Sequence, residues 1–499
     1  MSSDNNTSPL TFGTAGLRAP VGPGADEMNV STVTRATAGV ASWLGENKHV
    51  AVGYDARYGS NTMALAAAHT FAGAGYEVTL IAEAAPTPVL AWLVRDRGLD
   101  AGVQITASHN PATDNGYKLF LEGGAQLLSP ADREIEEHIA QQPAAKDIPR
   151  VDQITIDKSV VTGYISALGA KVATGSLDVS ERRRDVSIAY TPLHGVGGSV
   201  LEAVLRSSGF GTIEAVSEQR WPDPTFPTAA FPNPEEPGTT DLLLELGHTI
   251  DADVLIALDP DADRCAIGTK NGMLTGDQLG PLLADYVMNN VRTSTNSEHA
   301  PVVATTVVSS QMLSALAEDQ GWDFVETLTG FKHLAHAAHD RPGELAFAYE
   351  EAIGTCPFPD VVADKDGIAT ALVAAAWAAD LKAEGRNLDD EWKRLEDKYG
   401  VYRTKQVSQR FESNDAAHSA AKQYADNPPA DIAGVSVTSE GTDYGVRLTG
   451  SSGDLNLRVI CRPSGTEAKM KFYIEVTGGN DAAASEELVQ RVADAIAAG

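Results

Sequence analysis

From Val50 onward the apolar positions repeat one order: a short apolar run, a polar loop, then an amphipathic stretch. Val50 to Tyr54 predicts a strand, Thr62 to Gly75 a helix, and Glu77 to Ala82 a second strand. Short apolar runs between turn residues fit buried strands, whereas apolar residues three and four apart fit helices. Ser129-Pro130-Ala131-Asp132 predicts a helix start, with serine at the N-cap and proline in the first helical position. The order continues with a strand over Val186 to Tyr190, a helix over Gly198 to Ser208 and a strand over Thr212 to Val216. A helix over Asp241 to Leu246 and a strand over Val254 to Leu258 follow, and further elements fall at Gln278 to Met288, Val302 to Val308 and Ile368 to Ala383. Such alternation implies α/β layers with mostly parallel pairing.

Two stretches depart from it. Trp221 to Gly238 holds six prolines, at 222, 224, 227, 232, 234 and 237, which predicts an ordered, proline-stiffened loop or a lid. In the last hundred residues, short strands are predicted at Val435 to Ser439, Tyr444 to Leu448, Leu455 to Cys461 and Met470 to Val476. Helices at Asp415 to Ala425 and Asp481 to Ala498 flank them. The expected fold is therefore α/β: three similar α/β domains with mixed, mostly parallel sheets, plus a smaller C-terminal α+β domain with an antiparallel sheet. The expected domains are 1–155, 156–272, 273–398 and 399–499.

Composition narrows the function. A chain of 499 residues exceeds one ordinary core, and 43% hydrophobic with 21% charged residues fits a soluble globular protein. No apolar run approaches the ~18 residues that span a bilayer, so no membrane association is expected. Met1 to Pro9 is polar and lacks the basic start and apolar run of a secretory signal. Three cysteines, Cys265, Cys356 and Cys461, form no CxxC pair, and a cytoplasmic location is expected. The formal charge of −30 argues against nucleic acid or an anionic membrane as partner. If the ligand is itself a phosphate ester, its cleft must be locally basic.

Three constellations carry candidate chemistry. Ser108, in Thr106-Ala107-Ser108-His109-Asn110-Pro111, follows an apolar run on a tight polar loop. A serine hydroxyl there is a candidate nucleophile that needs activation, with His109 and Lys118 nearby in sequence; the same residues also suit a turn serine that caps the backbone. Asp259, Asp261 and Asp263 alternate along an extended loop, so their carboxylates face one side. Three oxygen donors favour Mg²⁺. Arg462-Pro463-Ser464-Gly465-Thr466 offers a guanidinium, two hydroxyls and unhindered N–H groups, which suit an anion cradle or a hairpin turn. Glu350 and Glu351 set adjacent carboxylates at a strand end, suited to sugar hydroxyls or to an exposed acidic turn. Lys332 follows a glycine turn, as a ligand-binding lysine or as part of a helix N-terminus, and His194 is either a ligand contact or a satisfied structural histidine. Cys265 and Cys461 read as small buried strand residues.

Together the motifs closely resemble the α-D-phosphohexomutase family, which includes phosphoglucomutases and phosphomannomutases. The resemblance runs from Phe12-Gly13-Thr14-Ala15-Gly16-Leu17-Arg18 through the Ser108, Asp259–Arg264 and Glu350–Gly354 segments to Arg462–Thr466. Gly53-Tyr54-Asp55-Ala56-Arg57, Glu326 to Lys332 and Lys365-Asp366-Gly367 also look like family segments. The resemblance implies a four-domain enzyme with one principal loop per domain around a cleft. It makes Ser108 the phosphoserine and a metal ligand beside Asp259, Asp261 and Asp263. Arg18, His109 and Lys118 fall near the reacting phosphate. Arg264, Lys332, Glu350, Glu351, Arg462, Ser464, Gly465 and Thr466 fall among the substrate contacts. One departure is Ala352, where many hexose mutases carry serine; Glu-Glu-Ala-Ile-Gly resembles the branch that includes phosphopentomutase-type members.

The implied activity is an isomerase that interconverts an aldose 1-phosphate and its 6-phosphate, glucose or mannose, through phosphorylated Ser108. Mg²⁺ and a hexose 1,6-bisphosphate activator are implied, with a small phosphosugar as the only partner of a monomer or homodimer. A phosphopentomutase, a serine-dependent metal phosphatase and a non-catalytic sugar-phosphate binding protein are the alternatives.

Overall fold

The computed structural model describes residues 10–13, 16–173, 177–291, 298–463, 468–479 and 481–498. The first sheet contains β1 (Leu17–Pro20), β2 (His49–Tyr54), β3 (Glu77–Ile81), β4 (Ala101–Ile105), β5 (Asp114–Leu121) and β6 (Thr155–Asp157), in the order β1-β5-β4-β2-β3-β6. Parallel pairing joins β2 to β3 and β4, and β3 to β6, while β5 runs antiparallel to β4 and β1. β4 is buried throughout, as a central strand covered on both faces must be. Val33 and Val40 from the helix Val30–Leu44 pack with Val50, Val52, Val103 and Ile105 in this core.

The second sheet contains β7 (Ser187–Thr191), β8 (Thr212–Ala215), β9 (Val254–Leu258), β10 (Cys265–Thr269) and β11 (Gly272–Met273), in the order β11-β10-β9-β7-β8. β7 is parallel to β8 and β9; β10 returns antiparallel to β9. The connection between β9 and β10 is the aspartate loop. The third sheet has β12 (Val302–Thr306), β13 (Asp323–Thr327), β14 (Leu345–Glu350) and β15 (Gly354–Cys356), in the order β13-β12-β14-β15.

The fourth sheet is antiparallel and contains β16 (Tyr402–Arg410), β17 (Asp431–Ile432), β18 (Val435–Thr442), β19 (Gly445–Ser452), β20 (Leu455–Pro463) and β21 (Lys469–Gly478). β19 alternates buried and less buried residues over its first half, the mark of a sheet with one solvated face. Leu448, Val459 and Phe472 pack with Leu488 and Val492 of the helix Ala482–Ala498. The fold class read from the sequence is the observed one, with mixed sheets before residue 400 and an antiparallel sheet after it.

The chain forms two compact units. One takes the residues up to Ala304 together with Gly330–Leu388; the other takes Thr305–Thr329 with Asp389 onward. Among the described residues no helix is long and apolar enough to cross a membrane.

The predicted cap at Ser129 is corrected. The helix spans Ala131–Ala140, Pro130 stands at its N-cap, and the Ser129 hydroxyl donates to Asp132 Oδ1 at 2.8 Å rather than accepting from the backbone. Residues 221–238 contain no helix or strand. Hydrogen-bonded turns order them, including Phe226 N to Asp223 O and Ala229 N to Phe226 O, and Phe226 and Ala229 are buried. The strand β16 had no counterpart in the sequence reading. Its residues Tyr402–Arg410 are largely polar and part-exposed, so the apolar pattern that marks a buried strand is missing.

Candidate active site

The turn after β4 carries Ser108 in the left-handed region, at φ 52°. A residue other than glycine pays about 1–3 kcal/mol there unless its surroundings fix it. Ser108 N donates to Thr106 Oγ1 at 2.9 Å, which closes the turn. Ser108 Oγ donates to Asp259 Oδ2 at 2.8 Å and lies 3.3 Å from His109 Nδ1. The predicted serine and the predicted aspartate loop therefore meet, 151 positions apart in sequence. Burial, helped by the positive fields of Arg264 and Arg18, holds the His109 imidazole well below its ordinary pKa, so it is neutral at physiological pH.

Asp259, Asp261 and Asp263 are fully or almost fully buried, and one carboxylate oxygen from each lies within 4.8 Å of the others. Their loop turns through Ala262, again left-handed at φ 54°. Glycines let its backbone seat: a Cβ on Gly195 would lie 2.3 Å from Pro260 main-chain atoms, and one on Gly367 2.6 Å from Arg264 O. Asp261 Oδ2 accepts from Lys118 Nζ at 2.6 Å and from Thr87 Oγ1 at 2.5 Å. Asp263 Oδ2 accepts from Lys118 Nζ at 2.8 Å, and Lys365 Nζ lies 3.6 Å from it.

Each buried carboxylate loses several kcal/mol of hydration, so the cluster needs cations. Burial, together with Asp261 and Asp263, pushes the Asp259 carboxyl well above the usual range. Burial acts the same way on Asp263, but Lys118, Lys365 and Arg264 outweigh it and hold this group ionised. Burial would lower the Lys118 ammonium; Asp261 and Asp263 instead hold it above its ordinary value. Asp261 Oδ1 and Asp263 Oδ1 remain buried without a hydrogen-bond partner. Unpaired anionic oxygens in a dry cluster of hard donors fit a divalent cation.

Basic side chains accompany the Ser108 turn and the aspartate loop. Arg18 Nη1 donates to Asn110 Oδ1 at 3.3 Å on the Ser108 turn. Arg264 Nη2 stands 4.0 Å from Glu350 Oε1. Glu350 is buried at the end of β14 and Glu351 follows it, with Ile353 left-handed at φ 52°. Lys332 lies in the short helix Phe331–Leu334, half-buried, and burial lowers its pKa. Arg462 is part-buried in β20 itself rather than beyond it, and Nη1 donates to Thr329 Oγ1. The other predicted cradle residues, Ser464, Gly465 and Thr466, lie outside the described residues.

His194 is the structural histidine: buried, with Nε2 at 2.8 Å from Thr228 Oγ1, it anchors the proline-rich segment. Cys265 and Cys461 are buried strand residues, as expected. Sequence reasoning missed Thr87, which no motif marks. It also gave no role to Lys365, although it quoted the Lys-Asp-Gly segment; the signal was Asp366, which caps the helix Gly367–Ala383 through Ala369 N at 2.9 Å.

The chain matches the family models for phosphoglucomutase/phosphomannomutase alpha/beta/alpha domain I over residues 9–146, domain II over 162–272 and domain III over 275–399. It is 37% identical to a probable phosphomannomutase of Haemophilus influenzae, across 90% of this chain and 93% of that protein. It is 32% identical to the phosphopentomutase of Homo sapiens, across 98% of this chain and 88% of that protein. Among solved structures, the phosphoglucomutase parafusin of Paramecium, in its open form, aligns with a TM-score of 0.73 over 98% of this chain and 96% of its own at 18% identity, a likeness of fold.

Proposed function

Because this chain belongs to the phosphoglucomutase/phosphomannomutase family, we propose that it is a phosphosugar mutase that moves a phosphoryl group between the 1- and 6-positions of an aldose through Ser108. The observation that carries the reading is the 2.8 Å hydrogen bond from Ser108 Oγ to Asp259 Oδ2, which joins the candidate nucleophile to the aspartate cluster.

In the forward half-reaction the free sugar hydroxyl attacks phosphorus on phosphorylated Ser108. The P–Oγ bond breaks as the new P–O bond forms, and the product is a sugar bisphosphate. The attacking hydroxyl loses its proton and the departing serine oxygen gains one; the His109 imidazole, 3.3 Å from Ser108 Oγ, would serve the serine end of that exchange. The bisphosphate turns over in the cleft, and Ser108 takes back the other phosphoryl group by the reverse steps. Lys118 and Arg18 would supply fixed positive charge to the reacting group. Asp259, Asp261 and Asp263, with the Ser108 oxygen, would hold Mg²⁺, which offsets charge on the transferring group when bound. Glu350 and Glu351 would accept sugar hydroxyls, and Arg264, Lys332 and the Arg462 segment would bind substrate. A hexose 1,6-bisphosphate would prime Ser108. The division into 1–155, 156–272, 273–398 and 399–499 is the domain plan we propose, supported by family matches that end at 146, 272 and 399. A cytoplasmic monomer or homodimer is proposed with it.

A second reading, phosphopentomutase, is favoured by Ala352 after the two glutamates and by the human relative. A hydroxyl or methylene difference in substrate is worth only about 1–3 kcal/mol of discrimination in an unspecialised pocket. Coupled assays with glucose, mannose and ribose 1-phosphates separate the two. Release of inorganic phosphate at the rate of substrate loss would mark a phosphatase instead, and intact binding without turnover a binding protein.

A further inference from the structure

Arg57, on the segment after β2, is almost fully buried and touches the Ser108 turn at four places. Nη2 donates to the carbonyls of Ser108 and Asn110, each at 2.6 Å. Nη1 donates to the carbonyls of Pro111 at 2.8 Å and Asp114 at 3.1 Å. Nε lies 3.4 Å from Asp55 Oδ2. Asp55 is fixed in turn, its Oδ1 accepting from Arg57 N at 2.9 Å and Ser60 Oγ at 2.6 Å. The face of the guanidinium is covered by the Phe226 ring, 4.8 Å from Arg57 Cζ to the centroid. Phe226 belongs to the proline-rich segment and is itself left-handed, at φ 45°. Five residues on, the Phe231 ring lies 6.0 Å from the His109 ring, centroid to centroid.

Such a plane of donors fits four carbonyls at once, a geometry no ammonium reproduces. We infer that Arg57 is a positioning residue for phosphoryl transfer: by holding the carbonyls of the turn from Ser108 to Asp114 it keeps Ser108 left-handed with Oγ aimed at Asp259, and Phe226 keeps Arg57 in place. The inference rests on the reading of Ser108 as the phosphoryl carrier. It accounts for a backbone conformation that serine does not adopt unaided, and it gives the six-proline segment a task. A stiff segment holds one ring against one guanidinium without a helix or strand of its own.

The test uses the full-length protein and its Arg57→Lys, Arg57→Ala, Phe226→Leu and Ser108→Ala variants. For each, thermal unfolding reports the folded fraction, steady-state assays report KM and kcat, and intact mass reports how fast glucose 1,6-bisphosphate phosphorylates Ser108. In folded Arg57→Lys, kcat and the phosphorylation rate should fall on the order of a hundredfold, with KM nearly unchanged, because a small displacement of the nucleophile acts on the chemical step. Phe226→Leu should fall less, roughly five- to tenfold. Millimolar guanidinium ion should restore part of kcat to Arg57→Ala and none to the wild type. If Arg57→Ala does not fold, Arg57→Lys and Phe226→Leu decide. Wild-type kcat in folded Arg57→Lys, or losses in both variants that merely track the folded fraction, would overturn the inference and make Arg57 a structural residue only. Retained turnover in Ser108→Ala would instead sink the reading of Ser108 as carrier, whatever Arg57 does.

Discussion

The turn that carries Ser108 and the strand end that carries Arg462 are both proposed to handle phosphate, yet they are built in opposite ways. Ser108 is buried, left-handed, closed by Thr106 Oγ1, held through its carbonyl by Arg57 and bonded through its hydroxyl to Asp259. Arg462 is part-buried on an ordinary strand, in register with Lys471, and its side chain bonds Thr329. A group that exchanges a covalent bond must present one atom at one place, so strain and redundant hydrogen bonds are tolerated to fix it. A group that grips a phosphate needs charge and a planar fork, and a mobile side chain supplies both.

If that contrast is right, the largest effect follows removal of the Ser108 oxygen. Ser108→Ala should lower turnover by at least about a thousandfold, since it removes the oxygen proposed to carry the phosphoryl group. Unfolding temperature should barely change, and mass spectrometry should find phosphate on Ser108 of the active wild type. Near-normal turnover in the variant would break the comparison at its root.

Next in size is the aspartate cluster. Asp261→Asn removes one of the three proposed anionic ligands and one partner of Lys118, and turnover should fall by roughly a hundredfold or more. Chelation of divalent ions should do the same to the wild type and be reversed by Mg²⁺. A chelated protein that works at full speed would show that Lys118, Lys365 and Arg264 neutralise the cluster without a metal.

Arg462→Ala should act on binding. A hydrogen bond to a charged group contributes about 1.5–3 kcal/mol, so KM should rise roughly tenfold or more. The rate at which a bisphosphate phosphorylates Ser108 at saturation should change little. A fall in that saturating rate equal to the Ser108 effect would erase the distinction between the two regions.

What the sequence disclosed follows the same division. The strand-loop-helix order showed where Ser108 and the aspartates lie, because each sits just past an apolar strand, and the spacing of two predicted carboxylates on one side of a loop. The contacts that make them a site are long-range: Thr87 to Asp261 spans 174 positions and Lys118 to Asp263 spans 145. No local pattern encodes such a contact. The left-handed backbone at Ser108, Ala262 and Ile353 was hidden for a related reason. Glycine or asparagine announces that conformation in a sequence, whereas serine, alanine and isoleucine adopt it only under tertiary constraint. The Ser129 cap failed because the helix begins at Ala131, one residue later than expected, which leaves Pro130 rather than Ser129 in the capping position.

The smallest effect sharpens the comparison most. Thr329→Val keeps the shape of the side chain and removes the hydroxyl that receives Arg462 Nη1. If Arg462 needs to be held as Ser108 is, the loss should approach that of Arg462→Ala itself. If it is a mobile grip, as its strand position and partial exposure suggest, only the cost of orienting one side chain is at stake. Ordering a long side chain costs about 0.5–1.5 kcal/mol, so KM should rise roughly two- to tenfold with kcat unchanged. Isothermal titration with a non-reacting sugar phosphate would read the same change as a less favourable binding entropy. A fall in kcat without a change in KM would place Thr329 in the chemical step and contradict the assignment of this region to binding.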